Sequence, residues 1–313
     1  MRKIGDLEVS EVGLGCNNFG GRVDLDGTRA VVDAALEAGV HLLDTADVYG
    51  GAGGSESLLG EVLKGRRDSF VVATKFGMDM GGATGLPDVP RGSPEYVNAA
   101  VEGSLERLQV DTIDLYQYHA PDGQTPIEET LGALNELVER GVVRFVGCSN
   151  FSADQLAEAA DAAERAGYAA FVSLQNEFSL LKRGLEADVL PESEQRSVAV
   201  LPYFPLASGL LTGKYRRGQD APAGTRLQGR DQVADEDTFE RLERLAAFAD
   251  ERGVEPIDVA IGWLLSGEAI ASVIAGATKP EQIRRNAEAG EWRPSGDDAD
   301  EIDAIFPPAR DLT

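Results

Sequence analysis

The chain is short of sulfur and imidazole. Its 313 residues include two cysteines, Cys16 and Cys148, and two histidines, His41 and His119. Two cysteines cannot build a disulfide framework and point to a reducing compartment. Spread this widely, the four side chains make no zinc site, so no metal is expected. No apolar run approaches the ~18 residues of a membrane span. The opening MRKIGDLEVS has no apolar core of a secretory signal, and a cytoplasmic location is the expectation. Positive charge is scarce as well: 29 Lys and Arg stand against 54 Asp and Glu, a net charge of −25. That field repels polyanions, which excludes nucleic acid as a partner. Also absent is a G-x-G-x-x-G at the first strand–helix turn. GLGCNNFGG has the wrong spacing, which counts against an open doubly wound sheet.

What the chain does have is rhythm. Hydrophobic residues make up 42% of it, enough for one large core. Eight β-rich runs are read at 11–16, 40–45, 70–75, 113–119, 143–149, 170–176, 198–204 and 271–277. Amphipathic helical patterns lie between them. Ser93-Pro94 and Thr125-Pro126 place a capping hydroxyl before a helix-opening proline. Ser152 and Asp154 open another helix, and Gly167 closes it. Eight strand–helix units with strands apolar on both faces predict an α/β fold, a (β/α)8 TIM barrel. Residues 1–313 read as one domain, with KIGDLEVS as a hairpin across the barrel bottom. Long loops follow strand three, at 76–92, and strand seven, at 207–237. A monomer is favoured.

In such a barrel, chemistry comes from the C-terminal strand ends. Asp44 ends strand two, Tyr49 lies just beyond it, Lys75 ends strand three and His119 ends strand four. Each alone has an ordinary reading, as a turn cap, a loop aromatic or a solvated lysine. On consecutive strands they converge on one pocket mouth. A phenol titrates near ~10 in water; a cationic lysine beside it is expected to lower that value. The carboxylate steadies the lysine, and the imidazole orients a substrate oxygen. The set makes Tyr49 a general acid for a carbonyl oxygen becoming an alkoxide. No protein nucleophile offers itself for the carbon, and a nicotinamide hydride would serve. His41, near a strand start, reads as structural. Cys16 and Cys148 read as small buried hydrophobes.

Along nearly its whole length the chain resembles the aldo-keto reductase superfamily. The resemblance rests on GVHLLDTADVYG, VVATKFG, DLYQYH, GVVRFVGCSN, LQNEFSLL, LPYFPLASGLLTGKY and VIAGATKPEQIRRNAEA, in that order. It implies that Asp44, Tyr49, Lys75 and His119 are the catalytic tetrad, with Tyr49 the proton donor, and that NADPH or NADH is the cofactor. Ser149, Asn150 and Gln175 match the positions that hold the nicotinamide carboxamide, and Tyr203 the aromatic stacked on its ring. Leu206, Ser208, Leu210 and Lys214 match the loop along the pyrophosphate. Gly276, Gln282 and Asn286 match the adenosine end. Lys214, Arg216, Arg217, Arg226, Arg230, Lys279, Arg284 and Arg285 form basic islands suited to an anionic dinucleotide.

One departure concerns the cofactor. Where many NADPH-using members place a lysine–serine pair and an arginine, this chain has Gly276, Ala277 and Gln282, with Thr278, Lys279 or Arg285 as substitutes. NADPH is the first choice and NADH the second, the latter implying a sugar or polyol dehydrogenase. Phe19, Phe76, Phe151 and Phe204, with Asn17 and Asn18, are candidates to line the pocket of a small carbonyl substrate. Two other classes compete: an aldolase using Lys75 as a Schiff-base amine, and a non-catalytic, channel-associated cofactor sensor, as some relatives are.

Overall fold

Side chains alternate along a strand, so a strand in a closed barrel sends every second residue inward. The computed structural model, which describes residues 1–230 and 233–308, is built on that alternation. Positions 231 and 232 of the second long loop, and 309–313 of the predicted domain, lie outside the described residues. A two-stranded antiparallel hairpin, β1 (Arg2–Ile4) and β2 (Leu7–Val9), comes first. Eight parallel strands follow: β3 (Val12–Gly15), β4 (Leu42–Asp44), β5 (Val71–Phe76), β6 (Ile113–Tyr118), β7 (Val143–Ser149), β8 (Ser173–Gln175), β9 (Ala199–Val200) and β10 (Val273–Gly276). Their order is β10-β3-β4-β5-β6-β7-β8-β9. Backbone bonds from Val200 to Ala269 (2.8 Å) and from Ile274 to Pro202 (2.9 Å) close the ring between β9 and β10. Seven of the eight runs read from the sequence contain one barrel strand whole, and β5 outruns the remaining one, 70–75, by one residue, Phe76.

The helices are α1 (Leu25–Glu37), α2 (Tyr49–Ala52), α3 (Gly54–Leu63), α4 (Pro94–Leu108), α5 (Ile127–Glu139), α6 (Ala153–Ala166), α7 (Val189–Gln195), α8 (Glu236–Glu251), α9 (Pro256–Leu264), α10 (Pro280–Ala289) and α11 (Gly296–Ile305). Ser93 caps α4, and Ser152 with Gln155 forms a capping box on α6, which Gly167 closes at φ 71°. Thr125 does not cap α5. Its hydroxyl donates to Asp122 at 2.8 Å, and Pro126 occupies the cap position. None of the described helices is long and apolar enough to cross a membrane.

Two apolar layers result. The larger lies between strands and helices. The smaller fills the lower barrel, where Leu42, Ala73, Leu115, Leu201, Ala271 and Ile274 meet Ile4, Leu7 and Val9 of the hairpin. The hairpin therefore plugs the bottom, as KIGDLEVS suggested. Two residues further along β4, β5 and β6 the interior turns polar, with Asp44, Lys75 and Gln117. The buried polar groups of these three strands thus lie at the end away from the hairpin.

Helices α3 and α4 touch through backbone. A Cβ on Gly60 would lie 2.4 Å from the carbonyl oxygen of Arg107. Overpacking at such a contact costs about 1–3 kcal/mol. Gly60→Ala should therefore lower the melting temperature by several degrees, at roughly 2–4 °C per kcal/mol; an unchanged melt would show that the two helices separate freely.

Candidate active site

The inward parity that puts Leu42 in the lower core also puts Asp44, two residues on, in the barrel's upper layer. Ala73 and Lys75 on β5, and Leu115 and Gln117 on β6, repeat the pattern, with Lys75 paired to Gln117 across the ladder. Lys75 is 0% exposed and Asp44 2%. The Lys75 ammonium donates to Asp44 Oδ2 at 2.7 Å and to the Thr45 carbonyl at 2.8 Å. Asp44 Oδ1 accepts from the amides of Gln175 (2.8 Å) and Gln117 (3.2 Å). Burial pushes the Lys75 ammonium toward neutrality, but the charge of Asp44 and the nearby Tyr49 phenol outweigh it and hold its pKa above the usual lysine value.

Tyr49 begins α2, a tight turn in which Gly50 (φ 71°) and Gly51 (φ 78°) are left-handed. A side chain at Gly50 would meet the Phe19 carbonyl at 2.5 Å, so only glycine lets this turn settle on the loop after β3. The Lys75 nitrogen sits 5.1 Å from the centre of the Tyr49 ring. His119, immediately after β6, meets that ring edge-on at 5.7 Å and 84°. The structure thus gathers Asp44, Tyr49, Lys75 and His119 in one place.

Electrostatics there correct one expectation. Burial raises the Tyr49 phenol above 10, and although Lys75 pulls the other way, it does not prevail. The phenol is a firmly protonated acid at neutral pH rather than a phenolate in waiting. His119 goes the opposite way: burial, reinforced by repulsion from Lys75, drops it to about 3. The imidazole is neutral, and its buried Nδ1 has no hydrogen-bond partner.

A second group surrounds the first. Ser149 ends β7 and donates to the Gln175 carbonyl at 2.6 Å. Asn150 has φ 61°; its Nδ2 donates to the His119 carbonyl (2.9 Å), and its Oδ1 accepts from the Tyr203 hydroxyl (2.8 Å). Asn176, which the sequence reading passed over, braces this corner: its Oδ1 accepts from the Asn150 N–H (2.6 Å) and its Nδ2 donates to the Phe151 carbonyl (2.8 Å). Gln117 was also missed. Its signal was a lone amide inside the apolar strand IDLYQY.

The phosphate-side residues fall on two further segments. Leu206, Ser208 and Leu210 lie in and beside a 3-10 turn, Ala207–Thr212, with Ser208 at φ 58° and Gly209 at φ 92°. Lys214 folds back so that a Cβ on Gly209 would strike its nitrogen at 2.4 Å. Gly276, Thr278, Lys279, Gln282, Arg285 and Asn286 cluster where β10 enters α10. Here Thr278 donates through both its N–H (2.7 Å) and its hydroxyl (3.0 Å) to Gln282. Asn286 is buried, and its Nδ2 has no partner.

The basic islands divide by partner. Arg217 pairs with Glu236 and Glu243, Arg284 with Glu37 (2.8 Å), and Arg285 with Asp258 (2.6 Å) and Glu255 (3.1 Å). Lys214 lies over Tyr215 and Arg226 over Phe204, and among the described residues neither has a carboxylate in ion-pair reach. Burial lowers the pKa of both. Two desolvated cations, an unpartnered Asn286 amide and an anchored Tyr203 ring suit an anionic dinucleotide.

The substrate candidates are placed less uniformly. Phe76, one residue past Lys75, has the opposite parity and stacks on Tyr116 and Tyr118 in the outer core, fully buried. Phe19 (0% exposed) and Phe151 (3%) belong to that core as well. They pack the fold instead of lining a pocket. Phe204 is 41% exposed, edge-on to Tyr203. Asn17 and Asn18 approach Gly276, each 3.4 Å from where its Cβ would lie.

The Aldo/keto reductase family model matches residues 11–306. The chain is 34% identical over 294 residues to a probable voltage-gated potassium channel subunit beta of Oryza sativa subsp. japonica, covering 90% of this chain and 88% of that one. It is 35% identical over 292 residues to the uncharacterized oxidoreductase YrpG of Bacillus subtilis (strain 168), covering 91% and 88%. With the probable aldo-keto reductase 1 of Glycine max it shares 34% over 292 residues, covering 90% and 80%.

Because the unfolded chain protonates His119 near 6.5 and the folded chain near 3, the stability this contributes is complete above 6.5 and erodes as pH falls toward 3. With two histidines in the chain, imidazole proton NMR separates them cleanly. The His119 resonance should stay flat from pH 8 to pH 5; a midpoint near 6.5 would place the ring in solvent.

Proposed function

The chain belongs to the aldo/keto reductase family, and from that premise we propose that it reduces an aldehyde or ketone to an alcohol, with Tyr49 as proton donor. The observation that carries this reading is the fully buried Lys75–Asp44 pair set against the Tyr49 ring. When bound, the nicotinamide cofactor supplies the hydride. Tyr49 holds its proton until negative charge grows on the carbonyl oxygen, and Lys75 stabilises the phenolate left behind. Neutral His119 gives that oxygen a hydrogen-bonding neighbour without competing for the proton. Asn150 and Ser149 offer amide and hydroxyl groups to the carboxamide side, Tyr203 a ring face, and Lys214 with Arg226 positive charge to the phosphates. Phe204 is the exposed aromatic, and Asn18 a polar group, available to a small carbonyl substrate. The same reading takes residues 1–313 as one unit working in the cytoplasm.

NADPH is the proposed cofactor, with Lys279 the cation for its 2′-phosphate, since the nearest carboxylate, of Glu281, stands 4.0 Å away. A second reading is favoured by Arg285. Its guanidinium is engaged by Asp258 and Glu255, and Gln282 stands where an arginine is common, so NADH and sugar or polyol oxidation follow as the alternative. The Schiff-base reading loses ground because that chemistry needs a neutral amine, and Lys75 is held as an ammonium by Asp44. The potassium-channel subunits among the relatives support a sensor reading, which differs in lacking turnover.

Fluorescence titration with NADPH and NADH in parallel tests the cofactor. Tight binding of NADPH alone supports Lys279 in its role; preference for NADH moves the function toward the dehydrogenase. Tyr49→Phe should reduce carbonyl turnover by about 10²–10⁴-fold while leaving the titration unchanged. Full turnover in that variant would show that another group donates the proton.

A further inference from the structure

Asp47 lies between Asp44 and Tyr49 in the sequence DTADVYG, and nothing in the chemistry above uses it. Its side chain is 0% exposed, and both carboxyl oxygens are buried without a hydrogen-bond partner. An ionised carboxylate in that state would be expensive, since burial without pairing removes hydration and returns nothing. Relief from its surroundings is partial: Arg107 and Lys75 favour the ionised form, but burial and repulsion from Glu56 outweigh them. Glu56 of α3 is equally buried, accepting from the Thr74 hydroxyl (2.6 Å) and from Arg107 of α4 (2.8 Å). Arg107 reaches Glu56 by passing so close to Gly53 that a Cβ there would lie 2.3 Å from its Cδ. That guanidinium is therefore committed to Glu56, and Lys75 of β5 is committed to Asp44. Tyr116 of β6 and Tyr96 of α4 are the other titratable groups that feel Asp47, and the Tyr116 hydroxyl is itself buried and unpartnered.

The backbone of Asp47 connects this cluster to the active site. Its N–H donates to the Lys75 carbonyl at 3.0 Å, and the Tyr49 N–H donates to the Ala46 carbonyl at 3.2 Å. The turn that presents Tyr49 thus hangs from β5 at Asp47. We propose that Asp47 is a positioning residue kept as a neutral carboxylic acid: uncharged, it leaves its backbone free to hang the Tyr49 turn on β5, and its ionisation displaces that turn. The proposal deepens the reductase reading and rests on it for the catalytic consequence. On ionisation the proton passes to solvent water. The new charge then faces Glu56 at its back and draws Lys75 away from Asp44. Burial, followed by repulsion from Glu56, raises this carboxyl from 3.8 to about 8, so the transition falls at the edge of the physiological range.

The linkage sign follows. The folded chain keeps a proton on Asp47 between 3.8 and about 8 that the unfolded chain has lost, so this stabilisation is complete below 3.8 and disappears as pH rises through 8. Asp47→Asn carries no such penalty. The experiment compares its melting temperature with that of the native chain from pH 5 to pH 9. The variant's advantage should widen by several degrees up to pH 8 and then level. A variant that melts lower at every pH, with the gap constant, would overturn the proposal, because Asp47 would then be an ionised partner. Should Asp47→Asn fail to fold, infrared spectroscopy of the native chain at pH 7 decides, through a protonated-carboxyl band that vanishes above pH 8; its absence overturns the proposal equally.

Positioning is read without turnover. In a tyrosine-labelled sample, the Tyr49 carbon resonance, assigned with Tyr49→Phe, should shift with a midpoint near pH 8 in the native chain and stay level in Asp47→Asn. A Tyr49 signal steady through pH 8 in the native chain would sink the positioning role. If reduction occurs, kcat should fall above pH 8 in the native chain and persist in the variant, with KM little changed in both. Loss of that kcat limb together with an intact NMR step would count against the reductase reading alone.

Discussion

A lysine and an aspartate with almost no solvent between them sit at the centre of the upper barrel, and most of the site is arranged around keeping them there. Removing two charges from water costs several kcal/mol per ion, and the attraction between them offsets this only when the remaining hydrogen-bonding capacity is met. Here it is met from two further strands and one loop. Gln117 and Gln175 satisfy Asp44 Oδ1, and the Thr45 carbonyl takes a second Lys75 proton. The pair fixes where the positive charge lies, and the two neighbours, Tyr49 and His119, acquire their protonation states from it and from burial.

Gln175 shows how closely the two halves of the site are joined. By resemblance it belongs to the cofactor's carboxamide, yet in the structure its amide nitrogen donates to Asp44. Asn150 makes a similar join, with one end on the backbone of His119 and the other on the Tyr203 hydroxyl. Carboxamides suit such duty, since each offers donors and an acceptor without adding charge to a region already holding one ion pair.

Much of this was legible in the chain because parity and strand ends are properties of sequence. The eight strands emerged from apolar runs, and Asp44, Lys75 and His119 stood out as polar groups ending them. Parity also explains the misplaced Phe76: it follows an inward residue, so it points outward, and reading strand ends without alternation put it in the pocket. The sign of the Tyr49 shift was not legible, because charge proximity can be seen in a motif whereas desolvation depends on the packed surroundings. Asp47 was invisible for the same reason. An acid in a loop reads as a turn residue until its burial is known, and the partners that leave it isolated, Glu56 and Arg107, lie on α3 and α4. Thr125 shows the limit of local capping rules, its hydroxyl being taken by Asp122 three residues before it.

The charge of the chain and the placement of its unpaired cations act on different length scales. At the ~10 Å reach of electrostatics in 0.1 M salt, an approaching dinucleotide senses little beyond the patch around Lys214 and Arg226. In dilute buffer it senses the whole molecule, with its net charge of −25. Ionic strength should therefore speed encounter where in most phosphate-binding proteins it slows it, and the dissociation step, governed by the desolvated cations, should respond far less. On the proposed reading, the rate of dinucleotide capture is governed by screening of the whole acidic surface as well as by the two cations.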